Sequence, residues 1–395
     1  MGLITVVKEL WRAFFFLCSL QFWRMALLWT FSILYSYYQL FKDSLSHSQY
    51  FKPLIPEKCS LFSQKLVSYP RCSPFTTTFR PVCVITGATS GLGLAAAYEL
   101  SKEGYVVVLV GRSQQLLSET ITKIKDRNEH AHLEAFQVDL SSIESVVKFK
   151  TSLQQWFLDS DLHCSIQILI NNAGILATSP RVTPEGYDQM IGTNYIGAFA
   201  LTKLLLPLLE SSPVSSKIVN VTSFTHRAGR DNHYKPYFLI YVIVWLMREL
   251  YPGRDFLDQY NIHVLTSMIC LILFSYELHR QLCLMGKSHQ IFVTVADPGV
   301  VQTNLMREIP AILSWLAIYV LKRLRLLQSP ECGVDSIVDA ALAPPGTSGA
   351  YFFGGNGRTI NPSTLSRNAK LARELWESTS KLLSVTPFGA EGNSW

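Results

Sequence analysis

From residue 81 onward, short apolar runs rich in β-branched residues alternate with longer stretches in which apolar positions recur every three or four residues. Residues 82–86 (VCVIT) and 105–110 (YVVVLV) have strand length and no polar alternation, and 133–138, 166–170, 217–221, 291–296 and 350–353 continue as strands. Between and after them, 94–102, 114–127, 142–158, 184–209 and 270–282 carry helical periodicity. Strands without alternation are buried on both faces, and helices linking successive strands make βαβ crossovers. The pattern predicts an α/β fold: a Rossmann-like, doubly wound parallel sheet in a single domain.

Upstream the texture differs. Residues 1–41 are expected to form a hydrophobic, membrane-associated segment. Its run 25–41 would span about 25 Å as a helix, against a hydrocarbon core of about 30 Å, and Arg24 interrupts the wider apolar region. An anchor or re-entrant segment, an amphipathic helix on the domain or a partner, and a signal peptide are the three readings. The last lacks a small-residue cleavage site. Residues 42–80, with Pro53, Pro56, Pro70 and Pro74, read as a linker. The domain is expected over 81–360, with an atypical insert near 231–268, and 361–395 as a C-terminal extension. The run 309–320 (IPAILSWLAIYV) is either a second membrane contact or a helix packed on the fold.

Composition narrows the function classes. Only 16% of the 395 residues are charged and 48% are hydrophobic, which excludes a disordered or coiled-coil chain. A net charge of +6 without a Lys/Arg block argues against nucleic acid as a partner. Eight cysteines occur without a CxxC pair, and the nine histidines show no HExxH or HxxxH spacing. No metal site is therefore expected, and free thiols fit a reducing compartment.

The chemistry gathers behind the first strand. Gly87, Gly91 and Gly93 are spaced GxxxGxG between a strand and a helix. There a tight turn brings backbone N–H groups to a pyrophosphate, and the helix N-terminus adds partial positive charge. The second strand ends in Val110-Gly111-Arg112-Ser113, with no carboxylate for a ribose 2′-hydroxyl. Arg112 can instead pair with a 2′-phosphate, which favours NADP over NAD.

Thr86-Gly87-Ala88-Thr89-Ser90-Gly91-Leu92-Gly93, Asn171-Asn172-Ala173-Gly174 and the strand before Ser223 resemble the short-chain dehydrogenase/reductase family across roughly 80–300. Asn194 in TNYIGAF, Thr222-Ser223, Asp297-Pro298-Gly299 and the helix around Phe274-Ser275-Tyr276-Glu277-Leu278 resemble its retinol-dehydrogenase-like branch, and 270–384 resembles a plant oxidoreductase of the family. The resemblance implies that Gly87, Thr89, Ser90, Gly91, Leu92 and Gly93 hold the pyrophosphate. It implies that Asp139 and Leu140 meet the adenine, and that Asn172, Ala173 and Gly174 bind the sugars or brace the sheet. Pro298, Gly299 and Thr303 would lie by the nicotinamide, Ser223 would polarise a carbonyl, and Asn194 would anchor the proton relay. The implied reaction is hydride exchange with a lipophilic alcohol or carbonyl compound at an intracellular membrane, of the endoplasmic reticulum or another organelle, with self-association left open.

One part of the family pattern is missing. The family's reaction uses a Tyr-x-x-x-Lys pair after the serine. The lysines after Ser223 are Lys235, Lys287, Lys322, Lys370 and Lys381, and none has a tyrosine four residues earlier. Aligned on the helix 270–282, the tyrosine position falls on Val264 and the lysine position on Met268. The sequence thus leaves two functions open: an NADP-dependent oxidoreductase, or a catalytically impaired nucleotide-binding pseudoenzyme acting as sensor or scaffold.

Overall fold

The computed structural model describes residues 10–11, 14, 17–18, 20–46, 68–72, 80–160, 162–177, 181–229, 260–306 and 309–384. Residues 231–259 of the expected insert lie outside the described residues. Strands β1 (Val82–Thr86), β2 (Val106–Gly111), β3 (His132–Gln137), β4 (Ile168–Asn171), β5 (Ser216–Val221), β6 (Ile291–Asp297) and β7 (Tyr351–Phe353) form one sheet. The order is β3-β2-β1-β4-β5-β6-β7. Every pairing between these strands is parallel, with Val84 beside Val108 and Leu169 at the centre. The chain winds outward from β1 to β3, then crosses back to β4 and winds the other way. Such a reversal opens a crevice beyond the carboxyl ends of β1 and β4, where open α/β sheets bind ligands.

Helices cover both faces, as the unalternating strands require. These are α2 (Gly91–Lys102), α3 (Gln114–Lys125), α4 (Ile143–Asp159), α5 (Gly197–Glu210), α6 (Tyr260–Leu284), α8 (Asp335–Leu342) and α9 (Ala369–Ser384), whereas α1 (Leu20–Ser46) and α7 (Ala311–Arg323) lie outside the two faces. Val82 and Val84 of β1 point into a core shared with α4, α5, α6 and α9. Cys83 and Ile85 point into the other, shared with α2, α3 and α8. This two-residue period is the side-chain alternation of an extended strand.

Segments outside the strand-and-helix repeat dock on it. In α9, Trp376 packs on Phe199 and Phe274, and Thr379 exchanges a 2.7 Å hydrogen bond with Tyr195. Within the expected linker, Arg71 pairs with Asp339 at 2.7 Å and Asp335 at 2.9 Å. Helix α1 lies on the carboxyl-end side of β6 and β7. Ile33 is buried in a cluster with Phe224, Ile272, Val295, Tyr351, Phe353 and Ile360. Ser36, fully buried, accepts a 2.8 Å hydrogen bond from Arg227 Nε. Among the described residues, the stretch long and apolar enough to cross a membrane is Gln189–Glu210. That stretch is 89% buried within the fold, as a core helix is.

Candidate active site

The crevice is floored by glycine. Gly87 and Gly91 have φ of +66° and +54°, which favour glycine, and a Cβ on Gly93 would sit 2.2 Å from the carbonyl oxygen of Gly87. Strand end and helix start are thus in backbone contact. Ser90 opens α2 in an extended conformation and makes no side-chain cap. In contrast, Ser113 and Ser142 each accept a backbone N–H at the start of α3 and α4. The first N–H groups of α2 are therefore left for another acceptor, and the helix dipole favours an anionic one. The described residues fit a dinucleotide's pyrophosphate here.

The Asn-Asn-Ala-Gly turn locks this cradle to the sheet. The Thr86 hydroxyl accepts from the backbone N–H of Asn172 and of Ala173, each at 3.0 Å. The Asn172 amide donates to the carbonyl of Thr86 at 2.9 Å. Asn171 donates to Thr202 and to Asn220 across β5. Both side-chain amides are thus engaged in bracing. Thr89 lies against Gly111 at the end of β2, and Leu92 packs with the α2 core. Arg112, one residue on, is exposed, and its guanidinium has no hydrogen bond or ion pair among the described residues. Asp139 accepts from the backbone and hydroxyl of Ser141 through a single oxygen, Oδ1. Leu140 is buried, its carbonyl filling the space where a Cβ on Gly197 would stand.

Asn194 sits in a π-helical turn, Gly192–Ile196, between a one-turn helix (Gln189–Ile191) and α5. The sequence predicts an unbroken helix here; one extra residue per turn is what swings Asn194 inward. Its Oδ1 accepts from Ile175 N at 2.8 Å, and its Nδ2 donates to Ile175 O and to the hydroxyl of Ser267. The contact puts the start of α6 beside the crevice. Ser267 precedes Met268, which is half-buried, whereas the side chain of Val264 lies outside the described residues. Ser223, half-buried, stands two residues past the end of β5, and its hydroxyl accepts from Thr225 N at 3.4 Å.

At the end of β6, Asp297 is buried and accepts from Gly299 N at 2.9 Å and from the Tyr351 hydroxyl at 2.7 Å. Burial pushes its carboxyl up to about 6 in spite of these donors and of Arg227 nearby. The neighbouring His226 is fully buried, which drives its pKa far down and keeps the ring neutral. Sequence reasoning missed Arg227, His226 and Tyr351 as parts of this site; only their nearness to Ser223 and to the last strand could have suggested them. Pro298 is buried, and a Cβ on Gly299 would approach the hydroxyl of Tyr37 in α1 to 3.8 Å. Thr303 lies over the cradle, 3.2 Å from the Cβ position of Gly91. The loop after β6 and the glycine turn therefore face each other across the crevice.

A glycine turn that fits a pyrophosphate, a serine just after β5 and an asparagine in a π-turn thus line one crevice at the switch point of the sheet. Residues 81–237 match the family model described as short chain dehydrogenase. The chain is 30% identical over 312 residues to short-chain dehydrogenase TIC 32 B, chloroplastic, of Brassica napus, covering 77% of this chain and 89% of that protein. It is 28% identical over 318 residues to polyprenol dehydrogenase of Homo sapiens, covering 77% and 85%. Among solved structures, an uncharacterized protein from Mycobacterium Paratuberculosis superposes with a TM-score of 0.56 at 25% identity, covering 80% of this chain and 97% of that one. The chain belongs to the short-chain dehydrogenase/reductase family, as its motifs predict.

Proposed function

We propose that this chain binds NADP(H) and serves the oxidoreduction of a lipophilic alcohol or carbonyl compound at an intracellular membrane, with its proton-transfer step impaired. The observation that carries the cofactor half is the uncapped start of α2 above Gly87 and Gly93, with an unengaged Arg112 at the end of β2. The helix N-terminus would hold the pyrophosphate. Arg112 would pair with the 2′-phosphate, and Asp139 Oδ2 would face the adenine. When bound, the nicotinamide supplies or takes up a hydride. Ser223 would donate a hydrogen bond to the carbonyl oxygen, and Asn194 fixes the β4 loop and the start of α6 on which that oxygen is approached. The similarity to polyprenol dehydrogenase supports an apolar substrate.

Met268 favours the impaired reading. A thioether carries no charge to lower a phenol's pKa and no proton to donate to a ribose oxygen, and Val264 has no proton to give. Removal of a positioned proton-transfer group typically costs about 10²–10⁴-fold in rate. The test is a pair of measurements on the purified full chain: nicotinamide fluorescence on titration with NADPH, then NADPH oxidation with a panel of aldehydes and ketones. Saturable binding with turnover barely above background is expected. Robust turnover abolished by Ser223→Ala would show that another residue supplies the proton; absence of binding would overturn the cofactor assignment.

A further inference from the structure

Helix α1 is apolar on two opposite faces. Its inner face is bound to the domain, and its outer face carries Trp23, Leu27, Phe31, Leu34, Tyr38 and Phe41. These recur every three or four residues and are 52–67% exposed. A helix packed on a soluble fold turns polar residues outward; this one does not. Helix α7 repeats the arrangement. Of its 13 residues only Leu313 is buried, while Ile312, Trp315, Leu316, Tyr319 and Val320 are exposed. The two helices meet where Trp29 packs on the cluster of Leu176, Ile309 and Leu313. The paired apolar surface is therefore larger than the isolated exposed side chains ordinary on a protein.

Charge indicates what covers it. Residues 309–330 contain no carboxylate, and Lys322, Arg323 and Arg325 close the apolar stretch of α7. Lys42 follows the outer stripe of α1 and is exposed. Tryptophan and tyrosine beside aliphatic side chains, bordered by cations, suit the boundary between anionic headgroups and acyl chains. A second copy of this chain seated symmetrically on the same surface would double these cations at the seam without a carboxylate from 309–330 to pair them.

We infer that the outer faces of α1 and α7 form one platform that lies in the plane of an anionic bilayer surface, so that α1 rests on the membrane instead of crossing it. The inner face excludes a crossing. Ser36 is held by Arg227, and the Tyr37 ring stands edge-on to Phe353 at 5.6 Å. A helix threaded through acyl chains would forfeit both contacts and expose Ile33. The platform deepens the membrane part of the reading above and rests on it.

The test uses the full chain and vesicles of phosphatidylcholine with and without phosphatidylserine. Flotation is expected with both and stronger with the anionic lipid. The outer-face variants Phe31→Glu/Leu34→Glu and Trp315→Glu/Leu316→Glu should each lower the bound fraction by at least ~10-fold, with unchanged circular dichroism and NADPH affinity. Lipids brominated near the headgroup should quench a fluorescence component that Trp315→Phe removes. Flotation unaffected by all four substitutions would overturn the platform and leave membrane association to other residues. No flotation at all would overturn membrane association itself. Quenching of α1 tryptophans chiefly by lipids brominated at the acyl ends would show a span, and a vesicle-free dimer dissociated by the Glu variants would show a second copy; either outcome sinks the inference.

Discussion

The two sides of the crevice rest on different parts of the chain. On the cradle side, Gly87, Gly91, Gly93 and the Asn172 turn line the crevice with backbone, which the Thr86 hydroxyl and the Asn172 side-chain amide hold in place. On the side we propose for proton transfer, α6 meets the crevice through the hydrogen bond from Asn194 to Ser267, and the positions aligned with the family's pair carry Val264 and Met268. Recognition by backbone survives sequence drift as long as the turn keeps its shape. Chemistry carried by two side chains can vanish with two substitutions and leave the sheet untouched.

The largest expected effect restores the weaker side. Val264→Tyr/Met268→Lys should raise carbonyl turnover by about 10²–10⁴-fold with NADPH affinity rising modestly; a variant no faster than the parent would mean that the start of α6 is not shaped for the pair. The complementary break is Gly93→Ala. Its methyl would strike the Gly87 carbonyl at 2.2 Å, and NADPH affinity should fall by roughly 100-fold or more, since close backbone approach is what the glycine permits. Fluorescence titration checks it.

Asp297 separates the two sides by pH. In the folded chain it keeps its proton up to about 6, whereas an unfolded aspartate releases it near 4. The folded state binds more protons across that window, so this group makes stability fall as pH rises from about 4 to 6, by on the order of 3 kcal/mol. Melting curves from pH 4 to 7 should show this slope in the parent relative to Asp297→Asn; parallel curves would remove burial as the cause. The smallest effect concerns the cradle's rim. NADPH should bind at least about 10-fold tighter than NADH, near 1.4 kcal/mol, and Arg112→Glu should abolish the preference. Equal affinities in the parent would leave Arg112 as an ordinary surface residue.

How legible each region was follows from how local its determinants are. The β1 turn and α2 could be read directly, because strand, glycines and helix adjoin in sequence and need one another. All seven strands were visible as apolar runs, with ends shifted by at most two residues; Asp297, for instance, continues β6 because its backbone pairs with Phe353 of β7. The π-turn at Asn194 was invisible, because its extra residue leaves no mark in helical periodicity. Helix α9 left the signal of Leu371, Leu375, Thr379 and Leu383 on one face, yet its position after the last strand read as an extension. The docking of α1 was one of three readings that the sequence left open, for another reason. A stripe that binds protein and a stripe that binds lipid are both apolar, and its partners Arg227 and Phe353 lie far along the chain.

That separation has a consequence for how the protein is made. Helix α1 leaves the ribosome before the domain it docks on, and the strand that supports Tyr37 emerges roughly 300 residues later, some ~15–60 s at ~5–20 residues per second. Over that interval neither apolar face has its partner from the rest of the chain. A nascent chain in this state is a client for chaperones or for a nearby lipid surface. The order of synthesis thus leaves the inner face of the helix open to any nearby apolar surface before its own fold can claim it.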